Sequence, residues 1–121
     1  METVLKGKGK KVVIGEGRPT VILGERINPT GKKKLAAALL AGNLEVVRQE
    51  ALEQVAAGAD LLDVNVGAAG VDEVDLLPRA VRLVLETVDV PLAIDTADEK
   101  ALAVALAAHK ELNPDGKPLV N

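Results

Sequence analysis

Two kinds of pattern alternate along this chain: short β-branched runs, and longer stretches in which apolar residues return every three or four positions. Lys11-Val12-Val13-Ile14 and Thr20-Val21-Ile22-Leu23 flank the turn formers Gly15-Glu16-Gly17-Arg18-Pro19, which predicts a hairpin. The second run continues through Gly24-Glu25-Arg26-Ile27-Asn28 and ends at Pro29-Thr30-Gly31. A short helix is predicted from about Lys32 to Ala41, closed by Gly42, a residue suited to a left-handed helix end. Asn43 is placed to cap the next helix, whose apolar set is Leu44, Val47, Ala51, Leu52 and Val55.

Leu61-Leu62-Asp63-Val64-Asn65-Val66 is almost wholly apolar, as a strand covered on both faces would be, so its polar members need a reason. The following helix starts near Asp72 or Asp75. Asp75 is the preferred cap, because it would leave Pro78 in the first turn. Val74, Leu77, Val81, Val84, Leu85 and Val88 share its apolar face. Val90-Pro91-Leu92-Ala93-Ile94-Asp95 is the next strand, Thr96-Ala97-Asp98-Glu99 has the form of a capping box opening a helix to about Ala108, and Asn113-Pro114-Asp115-Gly116 is a turn. Lys117-Pro118-Leu119-Val120-Asn121 begins a fourth strand.

A helix between each strand and the next forces parallel strands joined by right-handed crossovers. The fold class is therefore α/β with a parallel sheet. Every strand ends in polar residues: Glu25 and Asn28, Asp63 and Asn65, Asp95, Asn121. In parallel α/β folds the carboxyl ends of strands deliver side chains to one crevice, and ligands bind there.

Composition narrows the chemistry. The chain has 18 acidic and 15 basic residues and a formal net charge of -3, which gives no footprint for a polyanion. Phe, Tyr and Trp are absent, which removes the base-stacking platforms of single-stranded nucleic acid binders. Without Cys and with a single His there is no disulfide, thiolate nucleophile or multi-His metal site. Ser is missing too, so five residue types go unused, which fits a thermophilic, simplified or engineered source. No apolar leader or membrane-length run occurs, so a cytoplasmic setting is expected.

Amides and carboxylates at four strand ends, with no basic cluster beside them, suit a neutral heterocycle rich in N–H donors, such as the 2-aminopyrimidinone ring of a pterin. Gly24-Glu25-Arg26-Ile27-Asn28-Pro29-Thr30-Gly31, Leu62-Asp63-Val64-Asn65-Val66-Gly67, Leu92-Ala93-Ile94-Asp95-Thr96 and Lys117-Pro118-Leu119-Val120-Asn121 resemble, in that order, the motifs of the pterin-binding family. Within it the likeness is to the methyltetrahydrofolate:corrinoid methyltransferases, relatives of the folate module of cobalamin-dependent methionine synthase. Dihydropteroate synthase is a more distant cousin. The resemblance implies a TIM (β/α)8 barrel with the pterin at its carboxyl-end mouth.

It further implies pterin contacts from Asp95 and Asn121 on the aminopyrimidinone ring, from Asp63 and Asn65 on the pocket floor, and from Glu25 and Asn28 on strand one. The substrate would be methyltetrahydrofolate, its N5 methyl passing to Co(I) of a cobalamin or other corrinoid carried by a partner protein or domain. Thr96 stands where relatives often have Ser, and the hydroxyl is kept. Plainer readings stand beside these: Asp95 and Asn121 as helix caps, Asp63 and Asn65 as braces between strands, Glu25 paired with Arg26, and Asn28 as a turn residue. His109 is expected in a helix-end or half-exposed structural place, and Lys32 to Lys34 as solvated surface within reach of an anionic tail.

A TIM barrel needs about 200 to 250 residues, so a chain of 121 is expected to be the N-terminal half of one: residues 1–20 as tail and first hairpin strand, residues 21–121 as strands one to four. Two open sheet edges then call for a C-terminal half or a homo-oligomer. Alternatives are an enzyme of the dihydropteroate synthase class, and a non-catalytic half-barrel scaffold that self-associates.

Overall fold

The computed structural model describes residues 2–120. The elements are β1 (Glu2–Lys6), β2 (Lys11–Gly15), β3 (Leu23–Ile27), α1 (Lys33–Leu40), α2 (Glu45–Ala56), β4 (Leu61–Val64), α3 (Glu73–Thr87), β5 (Leu92–Ile94), α4 (Glu99–Leu112) and β6 (Leu119–Val120). The last four strands form one sheet in the order β3-β4-β5-β6, every neighbouring pair parallel. This is the expected half of a (β/α)8 barrel, preceded by an antiparallel hairpin.

Period-two alternation divides each strand between two cores. Leu62, Val64, Leu92 and Ile94 are fully buried against Val47, Ala51, Leu77, Val84, Ala101 and Ala105 of the helices. Burial of each such side chain contributes about 1.5–3 kcal/mol. Leu61 and Ala93, on the opposite face, form a second core with Leu5 of the hairpin, joined by Leu23 and Leu119. The apolar floor of the half-barrel is thus covered by the hairpin rather than left bare.

That hairpin differs from the one expected. Lys11–Gly15 pairs with Glu2–Lys6, not with Thr20-Leu23. Thr20 to Ile22 instead lead into the parallel sheet, where the Ile22 carbonyl accepts from the amides of Asp60 and Leu61. The Lys- and Gly-rich N-terminus hid a strand because its alternation covers few residues. Gly7 closes the hairpin against the β5 entry, where a Cβ would fall 2.2 Å from the Asp89 carbonyl oxygen.

Helix ends also moved. Asp72, not Asp75, caps α3, its carboxylate accepting from the amides of Val74 and Asp75. Pro78 therefore lies past the first turn, and the bond it omits would have ended on the carbonyl of Val74, a residue 37% exposed, where water can replace it. Asp98 caps α4 by accepting from the amides of Lys100 and Ala101, while Thr96, the expected cap, is engaged elsewhere. The helix runs on to Leu112, which places His109 on its buried side with Ala101, Ala105 and Ala108 rather than at a half-exposed end. Burial pushes its imidazole below the ordinary value. In α2 the buried row is Val47, Ala51 and Gln54, and Leu52 faces out. Among the described residues no helix is long and apolar enough to cross a membrane.

Candidate functional site at the strand ends

Three neighbouring strands deliver a carboxylate above the apolar floor. Leu23, Leu61 and Ala93 belong to the floor, and two residues later along the chain come Glu25, Asp63 and Asp95. The strands are staggered: Asp63 is level with Ala93 in the register, and Asp95, just past β5, stands beside Asn65. All three acids line a cavity of about 290 Å³ together with Asn28, Thr30 and Lys32. A larger groove of about 430 Å³ runs between α3 and α4 past Pro78, Arg82 and Glu111, on the outer side of the helices and away from the strand ends.

Glu25 and Asn28 would face opposite ways on a regular strand. A bulge in β3 brings them together: Gly24 pairs with Leu62 and Ile27 with Val64, so three steps on β3 match two on β4. Ile27 thereby turns into the helix-facing core and Asn28 returns to the cavity. The irregular backbone is held by the buried Gln54, whose Oε1 accepts from the Arg26 amide at 2.9 Å and whose Nε2 donates to the Glu50 carbonyl. Gly24 permits this approach, since a Cβ there would lie 2.6 Å from Gln54 Oε1. Asn28 also closes the turn after the strand, its Oδ1 accepting from the Thr30 amide.

Asn65 Nδ2 donates to Asp95 Oδ2 at 3.2 Å, and Asn65 Oδ1 accepts from the Gly67 amide at 2.8 Å. Its amide thus braces β4 to β5 and orients the Asp95 carboxylate, while Asp95 itself stays partly open to the cavity. Thr96 Oγ1 donates to Glu73 Oε1 and accepts from the Asp98 amide, tying the loop after β5 to the start of α3. Asn121 lies outside the described residues.

Asp63 is 4% exposed, and its Oδ1 has no hydrogen-bond partner among the described residues. Burial first, then the charges of Asp95 and Glu25, push its carboxyl from the ordinary 3.8 up to about 6. The cation lining the cavity is Lys32, whose Nζ donates to the Arg26 carbonyl at 2.9 Å. Sequence reasoning missed Gln54 and Glu73 as braces and treated Lys32 as surface. A polar residue on the buried row of α2 was the available signal for Gln54.

Chemically, the cavity offers hydrogen-bond acceptors over an apolar floor, an environment for a flat ligand edge rich in N–H groups. The sequence profile of the family described as pterin binding enzyme matches residues 24–121. The chain belongs to that family, and a pterin or folate substrate follows from the membership.

Proposed function

We propose that the chain is the strand-one-to-four part of a methyltransferase that moves the N5 methyl group of methyltetrahydrofolate to Co(I) of a corrinoid carried by a partner protein. The observation that carries this reading is Asp95, held by the Asn65 amide beside the buried Asp63 in an acidic cavity at the strand ends. Asp95 would accept the paired N–H groups of the aminopyrimidinone edge. Asn65 would act mainly by fixing Asp95. Glu25 and Asn28 would complete the rim, and Asn121, by the family likeness alone, would contact the same ring.

The corrinoid supplies a two-electron nucleophile for the methyl group. The folate site must do the rest. When the N5–CH3 bond breaks, the electron pair stays on N5, and an amine anion is a poor leaving group, so N5 must already carry a proton. Oriented acceptors near the ring favour that protonated state. No nucleophile from the enzyme enters, in keeping with the absence of Cys and Ser. The open edges of β3 and β6 would be closed by four further strands or by a second copy.

Lys32 favours a second reading, a dihydropteroate synthase-like reaction, because it gives the cavity one contact for a leaving diphosphate. Three carboxylates in the same cavity weigh against it by charge. The deciding experiment supplies the completed barrel with labelled methyltetrahydrofolate and Co(I) corrinoid, or with pterin diphosphate and an aminobenzoate. Methyl transfer lost in Asp95→Asn supports the first reading. Diphosphate release decides for the second.

A further inference from the structure

Asp95 is the first residue past β5, where the chain leaves the sheet. Its amide donates to the Val64 carbonyl at 3.1 Å, and its carboxylate receives the Asn65 amide. On its other side the chain is anchored through Thr96. Thr96 Oγ1 accepts from the Asp98 amide at 3.1 Å and donates to Glu73 Oε1 at 3.0 Å. Asp95 lines the cavity, whereas Thr96 and Glu73 are outside its lining.

Glu73 opens α3 and reaches Thr96 past the turn that follows β4. The Gly67 amide in that turn donates to Asn65 Oδ1. A Cβ on Gly67 would lie 3.1 Å from Asn65 Oδ1 and 3.5 Å from Glu73 Oε1, so the bare glycine backbone lets both side chains close on one turn. The loops after β4 and β5 are thereby joined twice, by Asn65 to the Asp95 carboxylate and by Glu73 to the residue that follows it. The two acids in the first turn of α3 have different partners. Asp75 pairs with Arg79 along the helix, and Glu73 takes a hydroxyl from another loop. Either acid complements the helix dipole wherever its side chain points, so the aim of Glu73 at Thr96 is a separate feature.

We propose that Glu73 is a positioning residue of the pterin site: through the Thr96 hydroxyl it fixes the backbone that carries Asp95, and with it the plane in which that carboxylate meets the paired N–H groups of the aminopyrimidinone edge. This rests on the pterin reading of the cavity and adds to it a residue that does not touch the ligand. Two parallel hydrogen bonds to one carboxylate gain most when its plane is set before the ring arrives. The loss of Glu73 should therefore be felt at the N–H pair and not over the whole ring.

The test titrates two rings, 2-amino-4-oxopteridine and 4-oxopteridine, which lacks the 2-amino donor, into the wild type, Glu73→Ala and Asp75→Ala. The wild type should prefer the amino compound. Glu73→Ala should bind that compound about fivefold more weakly and lose much of the preference. Asp75→Ala removes a first-turn acid without touching Thr96 and should keep both affinity and preference. In an Asp95→Asn background the Glu73→Ala change should cost less than about twofold, because the group it positions is gone. Thr96→Val should follow Glu73→Ala, and Thr96→Ser, which keeps the hydroxyl, should bind better than Thr96→Val; this pair reads the same link without altering α3. Equal weakening toward both rings, or the same cost with and without the Asp95 carboxylate, assigns Glu73 to the helix alone and overturns the inference while the pterin reading stands. Failure of the wild type to bind either ring ends both.

Discussion

Glu25 and Asn28 sit three positions apart on one strand and line the same cavity, because the bulge in β3 inserts one extra residue between them. The bulge depends on a side chain from another element. Gln54 supplies the partner that the Arg26 amide lacks in the sheet.

Removing that partner should therefore be felt twice. Gln54→Ala leaves a sheltered amide unpaired, which costs about 1–3 kcal/mol, and frees the bulge to shift. Urea unfolding should show the loss of stability, and pterin titration a weakening larger than for Leu52→Ala on the outer face of the same helix. Equal binding by the two variants would disconnect the bulge from the site.

Asp63 sets a pH dependence of folding with an unusual direction for an acid. Its folded carboxyl is raised to about 6 from 3.8, so between these values the folded protein holds the proton more tightly than the unfolded chain. Stability from this group is complete at low pH and is lost as pH rises through that window, by at most about 3 kcal/mol. Asp63→Asn removes the loss. The variant should be the more stable protein at pH ~7.5, and its advantage should shrink toward pH ~4 in matched urea titrations. An advantage that does not change with pH would count against a buried, proton-holding Asp63.

The Asn65 brace predicts an ordered pair of variants. Asn65→Ala deletes a hydrogen bond to a charged group, about 1.5–3 kcal/mol, and lets Asp95 rotate, so ring affinity should fall about tenfold or more. Asn65→Asp places a fourth carboxylate beside Asp95 and should bind more weakly still. Calorimetric titration ranks them, and the reverse order would assign Asn65 a different task.

Gly7 tests how the floor is sealed. Any Cβ there meets the Asp89 to Pro91 backbone, so Gly7→Ala should lift the hairpin from the sheet. Hydrogen exchange should then quicken at Lys6 and Lys117, whose backbones exchange two bonds of 3.0 Å. Unchanged protection would show that the hairpin tolerates the displacement.

The parallel half-barrel was legible because its helices and doubly covered strands carry long, unambiguous periods, and because polar residues interrupt the strands only at their carboxyl ends. The hairpin register was not legible: Thr20-Val21-Ile22-Leu23 is as good a strand by composition as Glu2–Lys6, and only the Gly7 contact and the covered floor select the latter. Asp75 was preferred over Asp72 because Pro78 was weighed by local rules alone, while the structure lets water stand in for the bond lost at Val74. Glu25 and Asn28 were named from the family likeness, and strict alternation would have separated them. The Asn65–Asp95 bond reflects a register between strands thirty residues apart in the chain, which spacing along one strand does not encode.

The most direct test of the central claim is calorimetric titration of methyltetrahydrofolate into the wild-type protein and Asp95→Asn. Asparagine at this position keeps the shape but replaces a two-point acceptor by a mixed donor and acceptor, so affinity should fall tenfold or more. Unchanged affinity in Asp95→Asn would contradict the claim that this carboxylate holds the pterin ring.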